Sequence, residues 1–211
     1  MKKFAIGFAL AAAAAVPAQA AHITISTTPG SAIYTGPTPI EDFDSAPFDN
    51  WSGGVFTNSV GGVRAQPLGS TGGYASVGPT DGTPGDFSLA SFDKVASISF
   101  IWGSVDTYNT LDIFDADDNL LASFSGSDVF NPANGDQGNV NTNPIVTISF
   151  NTTAARDAVA YLRFSSTQNA FEFDNLAVAV PEPSTWAMMI GGFGLLGAAV
   201  RRSRKTTAVY A

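Results

Sequence analysis

The chain of 211 residues holds 18 acidic residues, ten basic residues and no cysteine, and its formal net charge is −8 at pH 7. Residues 21–180 hold 17 of the acidic residues and only four of the basic ones, a net charge of −13. This balance excludes nucleic acid and anionic lipid as partners of that region, since both need basic patches. Without cysteine there are no disulfides, so stability must come from core packing.

The N-terminal segment has the pattern of a cleaved signal peptide. Two lysines precede an apolar run over residues 4–16, and an A-x-A cleavage site ends at Ala20. The run is too short to span a bilayer as an anchor. We therefore expect cleavage between Ala20 and Ala21, removal of residues 1–20 and export of the rest.

Periodicity after the signal peptide favours strands. In VASISFIW (95–102), apolar side chains alternate along one face up to Trp102, which we expect in the core. Turn residues separate such runs at a spacing of about ten residues, which predicts an all-β fold, an antiparallel β-sandwich of jelly-roll type over 21–180. The other runs are HITIS (22–26), TLDIF (110–114), NLLASF (119–124), IVTISF (145–150), VAYLRF (159–164) and FEFDNLAVAV (171–180).

Two segments fit this pattern less well. TAARDAVAYL (153–162) also has helical character, and residues 52–86 are rich in glycine with weak alternation. We interpret 52–86 as long loops, where binding sites are common. The chain has no internal repeat and no regular Thr-x-Thr ladder, which disfavours the flat solenoid face of an ice-binding protein.

Carboxylates are the only residues open to catalytic chemistry. The single histidine, His22, lies near the expected mature N-terminus, so Ser-His-Asp and Cys-His catalysis and the usual zinc and copper sites are excluded. A glycosidase would need two flanking carboxyls, such as Asp106 with Asp112 or Asp128. Aspartate is also common in β-turns, and we expect a protein that is not an enzyme.

Calcium is the candidate cofactor. DADDN (115–119) has the early spacing of an EF-hand loop, but Leu120 replaces the required glycine and Gly126 the required glutamate, so a hairpin turn is expected there. A better site would join the first and last strands of the domain, where metals sit in many carbohydrate-binding jelly rolls. Its predicted ligands are Glu41, Asp42, Asp44, Glu172 and Asp174.

Aromatic residues in the glycine-rich segment suggest a carbohydrate partner. Trp51 and Tyr74 lie among glycines, and exposed rings there could stack on sugar faces. On this interpretation the domain binds a polysaccharide, and an exopolysaccharide is its candidate ligand.

The C-terminal segment reads VPEPSTWAMMIGGFGLLGAAVRRSRK. Pro181 and Pro183 keep the chain extended at the start of this segment. Residues 184–200 carry no charge and span roughly 25 Å at ~1.5 Å per residue, which predicts a short transmembrane helix. The arginines that follow should stay cytoplasmic. An ordinary anchor or a buried core helix are the alternatives.

This segment closely resembles the PEP-CTERM sorting signal of Gram-negative bacteria. In that family an exosortase, an integral membrane enzyme, recognises the tail and cuts near PEP, and the protein is released or attached at the surface. The same tail is also called the ice-binding protein C-terminal domain, a name that does not describe what the rest of the chain binds. The matching residues are Pro181, Glu182, Pro183, Trp186, Ala187, Met188, Met189, Arg201, Arg202 and Arg204.

The middle of the chain resembles a family of exosortase-dependent surface proteins. The resemblance is carried by IWGSVDTYNTLDIFD (101–115) and AFEFDNLAV (170–178), with FSGSDVF (124–130) and NGDQG (134–138) between them. That family has no established molecular activity, so the resemblance implies a sorted surface protein and no particular chemistry.

Four regions are expected: a signal peptide (1–20), a β-sandwich (21–180), a sorting signal (181–205) and a cytoplasmic tail (206–211). The tail would hold the exported protein in the inner membrane until exosortase acts, and the product would reach the cell surface or the extracellular matrix. We expect a structural or adhesive component of envelope or exopolysaccharide. The alternatives are a carbohydrate-binding module with structural calcium, a carboxylate glycosidase or an ice-binding protein.

Overall fold

The computed structural model describes residues 22–181 and 185–203. The strands are β1 (Ile23–Thr28), β2 (Gly54–Phe56), β3 (Tyr74–Val77), β4 (Gly85–Ser88), β5 (Ser97–Gly103), β6 (Asn109–Asp115), β7 (Leu120–Ser125), β8 (Ile145–Phe150), β9 (Val159–Ser166) and β10 (Phe171–Ala179). The helices are α1 (Gly126–Val129), α2 (Thr153–Ala158) and α3 (Thr185–Ser203). The expected signal peptide, its cleavage site at Ala20 and Ala21, and the expected tail 206–211 lie outside the described residues.

The strands form two antiparallel sheets. One has the order β1-β8-β5-β10-β3-β2, and the other has the order β4-β9-β6-β7. Every segment with clear alternation in the sequence forms a strand, and the all-β prediction is confirmed. Strand β10 is central in the first sheet, because it pairs with β5 on one side and with β3 on the other.

Aromatic rings fill the space between the sheets. Phe164 on β9 stacks on Phe173 on β10 with ring centroids 3.9 Å apart, and Phe100 on β5 packs edge-on against both rings. Trp102 is fully buried, as predicted. Since side chains alternate along a strand, the inward position of Phe173 places Glu172 and Asp174 on the opposite face of the first sheet.

The glycine-rich segment is more ordered than the sequence indicated. We expected long loops over 52–86, but β2, β3 and the first residues of β4 lie within this range. All four residues of β3 are buried, so this strand is covered on both faces and lacks the alternation that reveals a half-buried strand. Strands of three or four residues also give too few positions for a pattern.

Local hydrogen bonds decide between the competing interpretations of TAARDAVAYL (153–162) and DADDN (115–119). TAARDAVAYL divides into α2, whose N-cap Thr152 accepts a bond from Ala155 N at 3.1 Å, and the start of β9. DADDN forms the β6–β7 turn, where one oxygen of Asp115 accepts bonds from the backbone of Asp117 and Asn119. The predicted hairpin is confirmed.

Helix α3 covers most of the segment that was predicted to cross the membrane. Its 19 residues include four glycines, and Arg201 and Arg202 lie in its last turn. Of the helices in ranges 22–181 and 185–203, none has the length and apolar character that a membrane span requires. The predicted helix therefore forms, and its crossing of a membrane stays a prediction.

Candidate functional site

A polar cavity of about 190 Å³ lies where β5 leads into β6 and where β10 begins. Its walls come from separate parts of the chain, and most of the contributing side chains are polar. The lining residues that matter here are Arg64, Ser104, Asp106, Tyr108, Gln137 and Glu172, together with the amide side chains of Asn134 and Asn169.

The β5–β6 connection presents three of these side chains and is held firmly. Val105 is buried; its N–H bonds Thr142 O at 2.7 Å, and its carbonyl accepts a bond from Gly135 N at 3.0 Å. Gly135 has φ +64°, and a Cβ added there would lie 2.5 Å from Asp106 Oδ1. A side chain at position 135 would therefore collide with the carboxylate that faces the cavity.

Glu172 provides a buried carboxyl at the start of β10. Only 2% of its surface is exposed, and its oxygens accept bonds from Ala65 N at 2.7 Å and from Ser104 Oγ at 3.2 Å. Burial raises the pKa of Glu172 to about 7; these bonds oppose the shift, and the nearby carboxylate of Asp106 adds to it. Ser104 has φ 36°, a conformation that its surroundings must hold in place.

Asp106 and Tyr108 form a hydrogen-bonded pair in the same wall. The Tyr108 hydroxyl donates to Asp106 Oδ2 at 2.7 Å and lies 3.2 Å from the carbonyl oxygen of Asn169. Burial raises the pKa of Asp106, and the bond from Tyr108 acts in the opposite direction. Burial, with the bond to Asp106, also raises the pKa of the Tyr108 hydroxyl. The pair links the β5–β6 loop to the β9–β10 loop.

Arg64 brings a positive charge to the cavity, but that charge already has a partner. Its guanidinium lies 2.7 Å from Asp81 Oδ1 and 3.8 Å from the centroid of the Phe56 ring. Asp81 also accepts a bond from Ser76 Oγ at 2.6 Å. The side chains of the ion pair are 14% and 2% exposed, so Arg64 is fixed rather than free to reach into the cavity.

Asn143 holds three segments around the cavity together. Its Oδ1 accepts bonds from Leu68 N at 3.1 Å and Ser104 N at 2.9 Å, while its Nδ2 donates to the backbone carbonyls of Asp136 and Asn139. Because Asn143 is 1% exposed, these bonds are shielded from water. The loop that carries Gln137 is thereby fixed relative to the end of β5.

The predicted calcium ligands do not come together as one site. The segment with Glu41 does lie beside β10, since Glu41 pairs with Leu176, but Glu172 faces the cavity and is bonded to Ala65 and Ser104. In the part of the chain that the structure describes, no group of three or more His, Cys, Asp and Glu side chains could hold a metal ion.

The other predicted ligands lie near Asp174, away from the cavity. Asp174 is 1% exposed, and burial raises its pKa to about 7. The nearby carboxylates of Asp44 and Asp42 raise this pKa further, while hydrogen bonds from Ser70 and Asn175 lower it. Asp44 Oδ1 accepts a bond from Gly73 N at 2.6 Å. Asp44 and Asp174 therefore already accept hydrogen bonds from the protein.

The predicted sugar-stacking rings are buried. Trp51 is 7% exposed and packs edge-on against Phe173 at 5.0 Å and Phe164 at 5.8 Å. Tyr74 is fully buried in β3, and its hydroxyl donates to Asn58 O at 2.8 Å. The prediction that their faces are free for a sugar is wrong, because both rings are buried, that of Trp51 within the hydrophobic core.

Of the predicted glycosidase carboxyls, only Asp106 lines the cavity. Asp112 lies on β6 between the inward Leu111 and Ile113, so it points away from the core. Asp128 accepts bonds from Ser125 at the start of α1. The pairs proposed from the sequence are not formed around one cavity.

The sequence did not single out Arg64, Asn134, Gln137 or Asn169 as site residues. Polar residues in loops carry no periodic signal, so composition could not distinguish them from ordinary turns. The useful signal was the second resemblance: its segments 101–115, 134–138 and 170–178 all contribute to the cavity wall.

The sorting segment begins directly after β10. Ala179 O accepts a bond from Ala96 N at 2.7 Å, Val180 is 51% exposed, and Pro181 follows. Glu182 and Pro183 lie outside the described residues, as does the side chain of Trp186. The described large apolar side chains of α3 are all exposed: Met188, Met189, Ile190, Phe193, Leu195 and Leu196.

Comparison with known proteins identifies this tail. The family model described as the PEP-CTERM protein-sorting motif matches residues 179–205. The match does not include the residues of the cavity. No curated protein and no solved structure matches the chain. The chain therefore carries a PEP-CTERM sorting motif at its C-terminal end, the mark of an exported protein that exosortase sorts to the surface.

Proposed function

We propose that the protein is a non-catalytic component of the cell envelope or extracellular matrix that holds exopolysaccharide through the cavity beside Asp106 and Glu172. The observation that carries this proposal is the polar lining of the cavity. At about 190 Å³ it is smaller than the pockets of roughly 300–1,000 Å³ that take drug-sized ligands. Its size suits one sugar residue at the end or branch of a chain.

The hydrogen-bonding groups on the wall match the chemistry of a sugar. Each hydroxyl of a sugar both donates and accepts hydrogen bonds. The amides of Asn134 and Gln137 offer donors and acceptors, and the carboxyls of Asp106 and Glu172 offer acceptors. The amide of Asn169 is already bonded to Gly62 and Thr80 and helps to hold the wall in place. A ligand without matching hydroxyls would leave these groups unpaired and would be rejected.

The proposal places this domain outside the inner membrane. The PEP-CTERM tail is the part of the chain that exosortase would process, and cutting near Pro181 would free a domain that ends just after β10. The net charge of −13 over residues 21–180 suits a neutral or cationic matrix rather than an anionic surface.

A carboxylate glycosidase is the second candidate, because Glu172 and Asp106 line one cavity and the pKa of Glu172 is raised to about 7. A general acid of this kind needs such a pKa and must also reach the substrate. Both oxygens of Glu172 already accept bonds from Ala65 and Ser104, and only 2% of the residue is exposed. These contacts favour binding without turnover.

The test is retention of the protein, isolated from the cells that produce it, on their own exopolysaccharide. We expect Asp106→Asn to reduce retention at least tenfold, while the matched variant Asp112→Asn, on the outer face of β6, retains wild-type behaviour. Equal retention of both variants would contradict the proposed site. Shortening of the polysaccharide during incubation would favour the glycosidase.

A further inference from the structure

The cavity wall has more acidic than basic side chains. Arg64, Asp106 and Glu172 are the charged residues in its wall, and the guanidinium of Arg64 is already neutralised by Asp81 at 2.7 Å. The carboxyls of Asp106 and Glu172 therefore lack a cationic partner among the described residues. Because both are partly or wholly removed from water, a ligand that supplies positive charge would gain more here than on an open surface.

The two carboxyls retain capacity to accept further hydrogen bonds. Tyr108 bonds Oδ2 of Asp106, and no described donor bonds Oδ1, which lies against Gly135. Each oxygen of Glu172 accepts one bond, from Ala65 N or Ser104 Oγ, and a carboxylate oxygen has two lone pairs. Asp106 is the more accessible of the two and is the expected first contact for a ligand.

We infer that the cavity takes a sugar residue bearing a protonated amine, a de-N-acetylated amino sugar, and that it discriminates against uronic acids. The inference rests on the proposed function and names the class of sugar. The ammonium donates to the carboxylate of Asp106, beside the buried carboxyl of Glu172, and the amides of Asn134 and Gln137 bond the ring hydroxyls.

Two physical effects support this selectivity. Opposite charges attract each other more strongly in a partly buried site than in water. N-acetylation removes the positive charge of the amine, so it removes this attraction to the carboxylate of Asp106. A uronic acid instead adds a carboxylate next to that of Asp106, and the surrounding charge of −13 repels it before it arrives.

The test is calorimetric titration of the protein isolated from producing cells with three oligosaccharides of equal length. The probes are a glucosamine tetramer, its N-acetylated form and a galacturonic acid tetramer, all at pH 7. We expect the glucosamine tetramer to bind at least tenfold more tightly than the acetylated one, and the uronic acid tetramer not to bind. Tetralysine serves as a cation without sugar.

Two variants distinguish binding in the cavity from a general attraction of cations to an acidic protein. Asp106→Asn should remove most of the preference for the amine. Gln137→Ala, at an exposed position of the wall, should weaken both glucosamine tetramers by a similar factor and keep the preference. Since Gln137 is exposed, its replacement leaves the fold intact even if Asp106→Asn does not fold.

Each contrary outcome has a distinct meaning. Equal or tighter binding of the acetylated tetramer would overturn the amine inference and leave the proposed polysaccharide function standing. Tetralysine binding as tightly as the glucosamine tetramer would also overturn it, because charge alone would explain the affinity. Failure of all three sugars, together with no retention on the native exopolysaccharide, would overturn the proposed function itself.

Discussion

The hydroxyl of Tyr108 donates to Asp106 Oδ2 at 2.7 Å and so joins an aromatic ring to the one cavity carboxylate that a ligand can readily reach. Tyr108→Phe should raise the pKa of Asp106 further, because the hydrogen bond that opposes the upward shift is lost. The carboxylate of Asp106 would also lose a contact that holds it in position, so ligand affinity should fall. Carboxyl NMR titration and calorimetry measure these effects.

Tyr161 offers a matched control for this variant. Its hydroxyl donates to Asp118 Oδ1 at 2.8 Å, in an exposed hydrogen bond outside the residues that line the cavity. Tyr161→Phe should leave both the pKa of Asp106 and the affinity unchanged. Equal loss of affinity in the two variants would contradict the role assigned to Tyr108.

Gly135 is the second position where a small change should weaken ligand binding in the cavity. Gly135→Ala places a Cβ 2.5 Å from Asp106 Oδ1 on a backbone with φ +64°. We expect a loss of stability of about 1–3 kcal/mol and a clear loss of ligand affinity, since Asp106 must move. Gly138→Ala is the control, because the nearest atom to its added Cβ is 3.7 Å away. Unchanged binding by Gly135→Ala would contradict the placement of Asp106 in the site.

The buried carboxyls should make the fold more stable in mild acid. Burial raises the pKa of Glu172 and of Asp174 to about 7, whereas the unfolded chain has ordinary carboxyl pKa values near 4. Between these values the folded state holds protons that the unfolded state has released. Stability therefore falls as pH rises through this range, by about 2 to 5 kcal/mol in total between pH 5 and pH 8.

Thermal unfolding at several pH values measures this dependence. We expect a higher Tm at pH 5 than at pH 8, and Asp174→Asn should remove about half of the difference. The exposed Asp93→Asn should leave the dependence unchanged. A Tm that rises from pH 5 to pH 8 would show that the buried carboxyls are not protonated in the folded state.

Contact between the sheets depends on the stacked pair Phe164 and Phe173. Phe173→Ala should cost about 3–5 kcal/mol of unfolding free energy, because it removes a fully buried ring and leaves a cavity. Phe114→Ala is the comparison: this ring is only partly buried and stacks on Tyr161 at a centroid separation of 5.0 Å, so its removal should cost less than about 2 kcal/mol. Denaturant titration distinguishes the two, and equal losses would contradict the assigned core.

Alternation predicted the strands that have one covered face or a long run, as in β8 and β10. It failed for β3, where both faces are buried. The glycines around Trp51 were also wrongly interpreted as the sign of a long loop. Gly53 and Gly85 lie directly against the Trp51 ring, so that a Cβ at either position would collide with it. These glycines make room for a buried indole and are not the sign of a long loop.

The cavity could not be predicted from the sequence, because its walls come from residues far apart in the chain. Arg64 precedes β3, Asp106 follows β5, Gln137 follows α1 and Glu172 begins β10. No local pattern indicates that these positions meet. The sorting tail, by contrast, is one continuous segment, so its residues could be identified without a structure.

The most direct measurement is the intact mass and the location of the native protein in producing cells with and without their exosortase. With the enzyme, we expect a chain that begins at Ala21, ends near Pro181 and is found at the surface or in the extracellular matrix. Without the enzyme, the tail should remain attached. An uncut tail in both strains would contradict processing by exosortase, and with it the proposed place of this protein in the envelope or matrix.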